Sequence, residues 1–164
     1  MKKAFFVLTV LISMVLASCA EEKYHILPFE NKNAVIECTV NGKFDAIIKN
    51  MNGALSLSVL APEEIKGISF VFSDTEDKMI SGEISIPISR KTLGGIYAIA
   101  SVPELSEEAM TSAVSKGGMG EISIEKDNLS YTLFFNTDGA LTDIKITGDG
   151  LDYIIKIKSI SVTE

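Results

Sequence analysis

Alternation of apolar and polar residues, repeated in short runs, is the feature that most limits what this chain can fold into. Successive side chains of a strand point to opposite faces, so a period of two marks strands with one buried face and one wet face. The first run carries Ala34, Ile36, Cys38 and Val40, and the next carries Phe44, Ala46 and Ile48. Leu55, Leu57 and Val59 follow, then Ile68, Phe70 and Phe72, then Ile84, Ile86 and Ile88. The spacing returns in Ile122 and Ile124, in Leu129, Tyr131, Leu133 and Phe135, in Ile144 and Ile146, and in Tyr153, Ile155 and Ile157. Between runs stand Asn41-Gly42, Asn52-Gly53, Asp127-Asn128, Asp138-Gly139 and Asp149-Gly150, pairs suited to tight hairpin turns. Connections this short join antiparallel neighbours, because a parallel crossover needs about a dozen residues or more.

Two stretches break the rule. Ala61-Pro62-Glu63-Glu64-Ile65-Lys66-Gly67 reads as one helical turn, with Pro62 at its start and Gly67 beyond its end. Within residues 89–118, Leu93, Ile96, Tyr97 and Ala100 have the spacing of a helix face; Gly94-Gly95 weakens that helix and Pro103 stops it. Ser106 is a good N-cap for a second helix, with Glu107 and Glu108 at its positive end, Ala109, Met110, Ala113 and Val114 on its apolar side, and Gly117 closing it. The expected fold class is therefore α+β: a curved antiparallel sheet of about eight to nine strands, with an inserted helical pair covering its concave face.

The start of the chain has a separate character. Met1-Lys2-Lys3 is basic, residues 4–17 are apolar apart from Thr9 and Ser13, and Leu16-Ala17-Ser18-Cys19 follows. A basic start, an apolar stretch and small residues before a cut site describe an export signal. The segment resembles a bacterial lipoprotein signal with Leu16-Ala17-Ser18-Cys19 as its lipobox. That resemblance implies cleavage before Cys19 and attachment of a diacylglycerol to its sulfur. The apolar run is shorter than the roughly 20 residues of a membrane-spanning helix. The expected division is a signal peptide over residues 1–18, a lipid-anchored tether over residues 19–33 and one domain over residues 34–164. The protein would lie outside the cytoplasm, held to the cell membrane, or to the outer membrane in a Gram-negative host. A tether of this length keeps the domain within about 50 Å of the bilayer.

Charge narrows the partners. The whole chain carries a formal charge of −7, and loss of Lys2 and Lys3 with the leader takes it to −9. An acidic surface argues against nucleic acid and against electrostatic docking on anionic lipid heads. Membrane attachment then falls to the lipid, and two acyl chains give a stable anchor where one is marginal. With Cys19 consumed, Cys38 has no disulfide partner, and its place on an apolar face predicts a buried thiol.

Catalysis and metals find little support. The sole histidine, His25, lies in the tether, so no Cys/His pair or Ser/His/Asp set can be built on the domain. Asp74, Glu76 and Asp77 share one turn, and Asp149 and Asp152 another. Solvated turn carboxylates lack the desolvation that acid–base chemistry needs. Neither cluster follows a calcium-loop pattern, and Gly117-Gly118-Met119-Gly120 lacks the Lys-Ser/Thr ending of a phosphate loop. We expect no enzyme activity, no cofactor and no metal.

A strand pair around Cys38 and Lys49, the Pro62-Glu63 turn ending at Gly67, a hairpin over residues 68–88, a helical insertion and closing strands together resemble the lipoprotein-carrier (LolA/LolB-like) superfamily. The likeness is architectural; its one local motif is the Pro-Glu-x-x-x-Gly turn, and where such carriers typically line their cavity with many aromatics, this chain has no Trp. The resemblance implies an incomplete β-barrel that holds acyl chains between sheet and helices. Leu57, Phe70, Phe72, Ile84, Ile86, Leu133 and Phe135 are the residues that would line such a pocket, or fill a closed core. Two functions stay open at this point. One is binding a lipid or a lipid-modified protein. The other is a structural or interaction role, with a filled core and a sheet edge or outer face turned to an envelope partner. The outer face, rich in serine at Ser56, Ser58, Ser69, Ser85 and Ser123, is expected to carry no large apolar patch.

Overall fold

The computed structural model describes residues 27–30, 32–116 and 119–163. The leader, Cys19 and His25 lie outside them. The fold is a single antiparallel sheet of 11 strands. In chain order these are β1 (Asn33–Val40), β2 (Phe44–Met51), β3 (Ala54–Ala61), β4 (Ile68–Phe72), β5 (Lys78–Ser81), β6 (Ile84–Pro87), β7 (Met110–Lys116), β8 (Met119–Lys126), β9 (Leu129–Phe135), β10 (Leu141–Gly148) and β11 (Leu151–Thr163). Each strand pairs with the one before it, apart from a break between β6 and β7. The two ends of the chain meet in the middle, where β1 lies antiparallel to β11. Among the described residues, β6 and β7 are the two free edges.

The hairpin turns follow from their sequences. Asn41 and Gly42, Asn52 and Gly53, Asp127 and Asn128, and Asp149 and Gly150 all have positive φ at both members. Two such residues in succession give the turn whose twist matches that of the flanking strands. The alternating residues then set one face inward. Ala34, Ile36, Cys38 and Val40 of β1, Leu133 of β9, Ile144 and Ile146 of β10 and Ile155 of β11 are all fully buried. Above this face sit one short helix, α1 (Gly94–Ala100), and a 3₁₀ turn at Val102–Glu104. Ala98, Ile99, Ala100, Val102 and Leu105 close the core from above. Tyr131 reaches up from β9, its hydroxyl within 3.2 Å of Ser101 Oγ and 3.3 Å of the Ala98 carbonyl, which pins the end of α1 to the sheet.

The α+β class with a helical pair is overturned. Among the described residues, the molecule is an open curved sheet with one short α-helix. The helix expected after Ser106 is a single 3₁₀ turn, Glu107–Ala109, followed by strand β7. Ser106 does cap that turn, its Oγ accepting from the Glu108 amide at 3.2 Å. The turn goes no further because Thr111 and Val114 are β-branched and Ser112 and Ser115 compete for backbone bonds, so this segment pairs with β8 instead. The count of eight to nine strands falls short by β5 and β7, the two that lack a clean alternation. The Pro62–Gly67 stretch is a run of turns and contains no helix. Residues 27–30, read as tether, belong to the packed domain. Leu27 and Phe29 are buried in the core, and the Glu30 carboxylate accepts from Ser106 Oγ at 2.7 Å and from the Glu107 amide at 3.2 Å.

Candidate functional site

Residues directly opposite in an antiparallel sheet share a face, and one such row leads out of the core. Leu57 of β3 faces Phe70 of β4, Phe70 faces Met79 of β5, and Met79 faces Ile86 of β6. Beside it runs Ile68, Ser81 and Ile84. Exposure climbs along the way: Leu57 is 0 % exposed, Ile86 45 % and Ile84 64 %. α1 lies mainly over β2 and β3. Among the described residues, the inner face at this end of the sheet is apolar and opens to solvent towards β6.

Where α1 ends its cover there is a groove of about 180 Å³, lined by Phe44, Leu57, Val59, Ile65, Ile68, Phe70 and Ile96. Every lining side chain is a hydrocarbon. β2 and β3 give it a floor, Ile96 of α1 forms one wall, and the turn after β3 brings Ile65 to its rim. The lead into α1 is fixed by Arg90. Its guanidinium forks onto Asp77, with Nε to Oδ2 at 2.9 Å and Nη2 to Oδ1 at 3.0 Å, and Nη2 donates to the Ser73 carbonyl at 2.8 Å. The Asp77 hydrogen bond raises the Arg90 pKa further above its already high value. The guanidinium carbon lies 5.2 Å from the centre of the Tyr97 ring, and Tyr97 meets Phe72 edge-on at 5.2 Å. A planar ion pair stacked on an aromatic ring holds the helix beside the groove without entering it.

The seven residues singled out from the sequence do not form one site. Leu57 and Phe70 line the groove, and Ile86 and Ile84 continue its apolar surface to the β6 edge. Phe72 and Leu133 are core residues, and Phe135 lies across the sheet on β9. Sequence reasoning missed Phe44, Val59, Ile65, Ile68 and Ile96. Ile65 left a signal, as a lone large apolar residue in a charged turn.

The outer face also departs from expectation. A shallow depression of about 970 Å³ crosses β7 to β11, with Val114, Met119, Phe134 and Ile154 among its apolar lining and Glu121, Asp143 and Lys145 between them. Phe134 and Ile154 interrupt the alternation of their strands by adding an apolar residue on the wet side. By spacing, Val114 belongs to the helix expected after Ser106. The expectation of no large apolar patch thus fails at the β7–β11 end.

Among the described residues, no group of three or more His, Cys, Asp or Glu comes together as a metal set. No helix among them is long and apolar enough to cross a membrane. The thiol of Cys38 is fully buried, and burial pushes its pKa up to about 12. A thiol so placed is neither nucleophile nor ligand.

No family model matches the chain, and no curated protein matches it. Among solved structures it is similar to an uncharacterized conserved protein from Thermus thermophilus, at 9 % identity over 81 % of this chain and 80 % of that one, with a TM-score of 0.44. It is also similar to a LolA superfamily protein from Nitrosomonas europaea, at 9 % identity over 81 % of this chain and 85 % of that one, with a TM-score of 0.40. At that distance the likeness is one of backbone course, and the function of this chain rests on its own side chains.

Proposed function

We propose that this chain is a lipid-anchored, extracytoplasmic binding module that performs no catalysis and holds an apolar chain on the open end of its sheet. The observation that carries the reading is the unbroken row Leu57, Phe70, Met79 and Ile86, which runs from the core into solvent beside an all-hydrocarbon groove. Ordinary strands of a monomer do not leave such a row uncovered at a free edge. The groove is smaller than the roughly 300–1,000 Å³ that encloses a drug-sized ligand. It suits the end of one acyl chain, with the rest lying along Met79, Ile84 and Ile86. Each methylene removed from water there contributes about 0.8 kcal/mol. No charged group lines the groove, so the ligand is held by its hydrocarbon, and its head group stays in solvent.

The test uses the full chain carrying Cys19→Ala, recovered without detergent. Titration with a fluorescent long-chain fatty acid should give saturable binding. Ile65→Asp and Ile86→Asp, both at exposed positions, should each weaken it at least tenfold. Loss of binding without loss of fold supports the site; unchanged binding in both variants, or no uptake by the parent, refutes it. A second reading, contact with an envelope protein partner, is favoured by the outer-face depression, and a parent that binds no fatty acid would leave that reading standing.

A further inference from the structure

The two free edges of the sheet are built differently. β6 is four residues long and ends at Pro87, which has no amide proton to offer. A short strand with a proline is a common way to blunt an edge against pairing. β7 has seven residues and no proline. A bulge interrupts its pairing with β8 between Met110 and Ser112, but from Ser112 to Lys116 the register is regular. Among the described residues β7 pairs only with β8, and its side chains at positions 110–115 are all exposed. Residues 111–115 carry no charge, on a chain whose formal charge is −7. Val114, the middle of the regularly paired residues 112–116, is 58 % exposed and on the outer face.

We propose that β7 is a homodimer edge, pairing antiparallel with β7 of a second copy about a two-fold axis at Val114. Copies of an acidic chain repel, so self-association needs a contact without acidic side chains; β7 has none, and its one charged residue, Lys116, is basic. The axis sets Val114 directly against Val114 of the second copy, a β-branched cross-strand pair of the kind that stabilises sheets. Ala113 then faces Ser115 of the second copy, two small residues that let the strands approach. Glu121, the neighbour of Val114 on β8, is kept about 14 Å from its counterpart by three strand spacings. That exceeds the screening length of about 8 Å at physiological salt. The pairing joins the two outer-face depressions into one apolar trough across the dimer.

Sedimentation of the full chain carrying Cys19→Ala should show a concentration-dependent dimer. Val114→Glu, which places like charges opposite each other on an exposed site, should weaken the dimer at least tenfold with an unchanged circular dichroism spectrum. Val114→Cys tests the axis itself. Directly opposed residues lie about 4.5–5.5 Å apart at Cα, within disulfide reach. Mild oxidation should therefore link two Val114→Cys chains, and should not link chains with Lys66→Cys, an exposed position far from β7. A chain that stays monomeric, a dimer indifferent to Val114→Glu, or Val114→Cys chains that cross-link no better than Lys66→Cys chains would overturn the proposal.

Discussion

Cys38 shows how one buried atom sets a pH limit. The thiol is fully buried between β1 and its neighbours, and desolvation raises its pKa from 9.0 to about 12, with Lys158 offsetting part of the effect. Below about pH 9 the folded and unfolded chains both keep the proton, and the contribution to stability is constant. Above it the unfolded chain loses the proton and the folded chain does not. The unfolded state then binds fewer protons, so stability falls as pH rises, until the folded thiol also ionises near 12. The slope is on the order of 1.4 kcal/mol per pH unit across that window. Urea unfolding at about pH 8 and about pH 10.5, on either side of the unfolded thiol's titration, should show a larger alkaline loss in the parent than in Cys38→Ala. Equal losses in the two proteins would remove Cys38 as the cause. The burial of this side chain was legible in the sequence because it shares the parity of Ala34, Ile36 and Val40.

At the scale of elements, α1 begins with two glycines of opposite meaning. A Cβ on Gly95 would run into the Tyr153 hydroxyl, whereas one on Gly94 would meet nothing. Gly95 is therefore a close-approach residue that lets the helix settle on β11, and Gly94 is dispensable. Gly95→Ala should lower stability by about 1–3 kcal/mol through overpacking. Gly94→Ala should be neutral or raise it by up to about 1 kcal/mol through helix propensity. Thermal melts of the two variants decide this, and a similar loss in both would show that Tyr153 simply moves aside. Nothing in the sequence separates the two glycines, since their difference comes from a tyrosine far along the chain. The same holds for β7. Ala109, Met110, Ala113 and Val114 match a helical face by spacing, and the open side of β8 adds its pairing to the strand preference of Thr111 and Val114. By contrast, every strand but β5 and β7 was readable, because alternation and turn residues are local. The groove was half readable: Leu57 and Phe70 lie on the alternating face, but Ile96 and Ile65 reach it from elements whose packing is set by distant contacts.

At the scale of the whole molecule, the anchor and the sheet set separate limits. If Cys19 carries the lipid, Cys19→Ala should move the protein from the membrane fraction to the soluble fraction of a bacterial host, and a variant that still sediments with membranes would sink the lipobox reading. The sheet imposes a limit in time. Its central pair joins Asn33 to Thr163 and Val40 to Ile155, the first strand to the last. Contacts so far apart in the chain are slow to form, because the loop between them must be closed before they return any stability. Whether it emerges from a ribosome or a translocation channel, the leading half can arrange its own hairpins, β1 through β6, but one side of β1 stays unpaired until the final segment arrives. The protein thus has its most exposed moment just before synthesis or export is complete, when both halves of the future core face water. The strand that ends that exposure, β11, is the longest in the sheet.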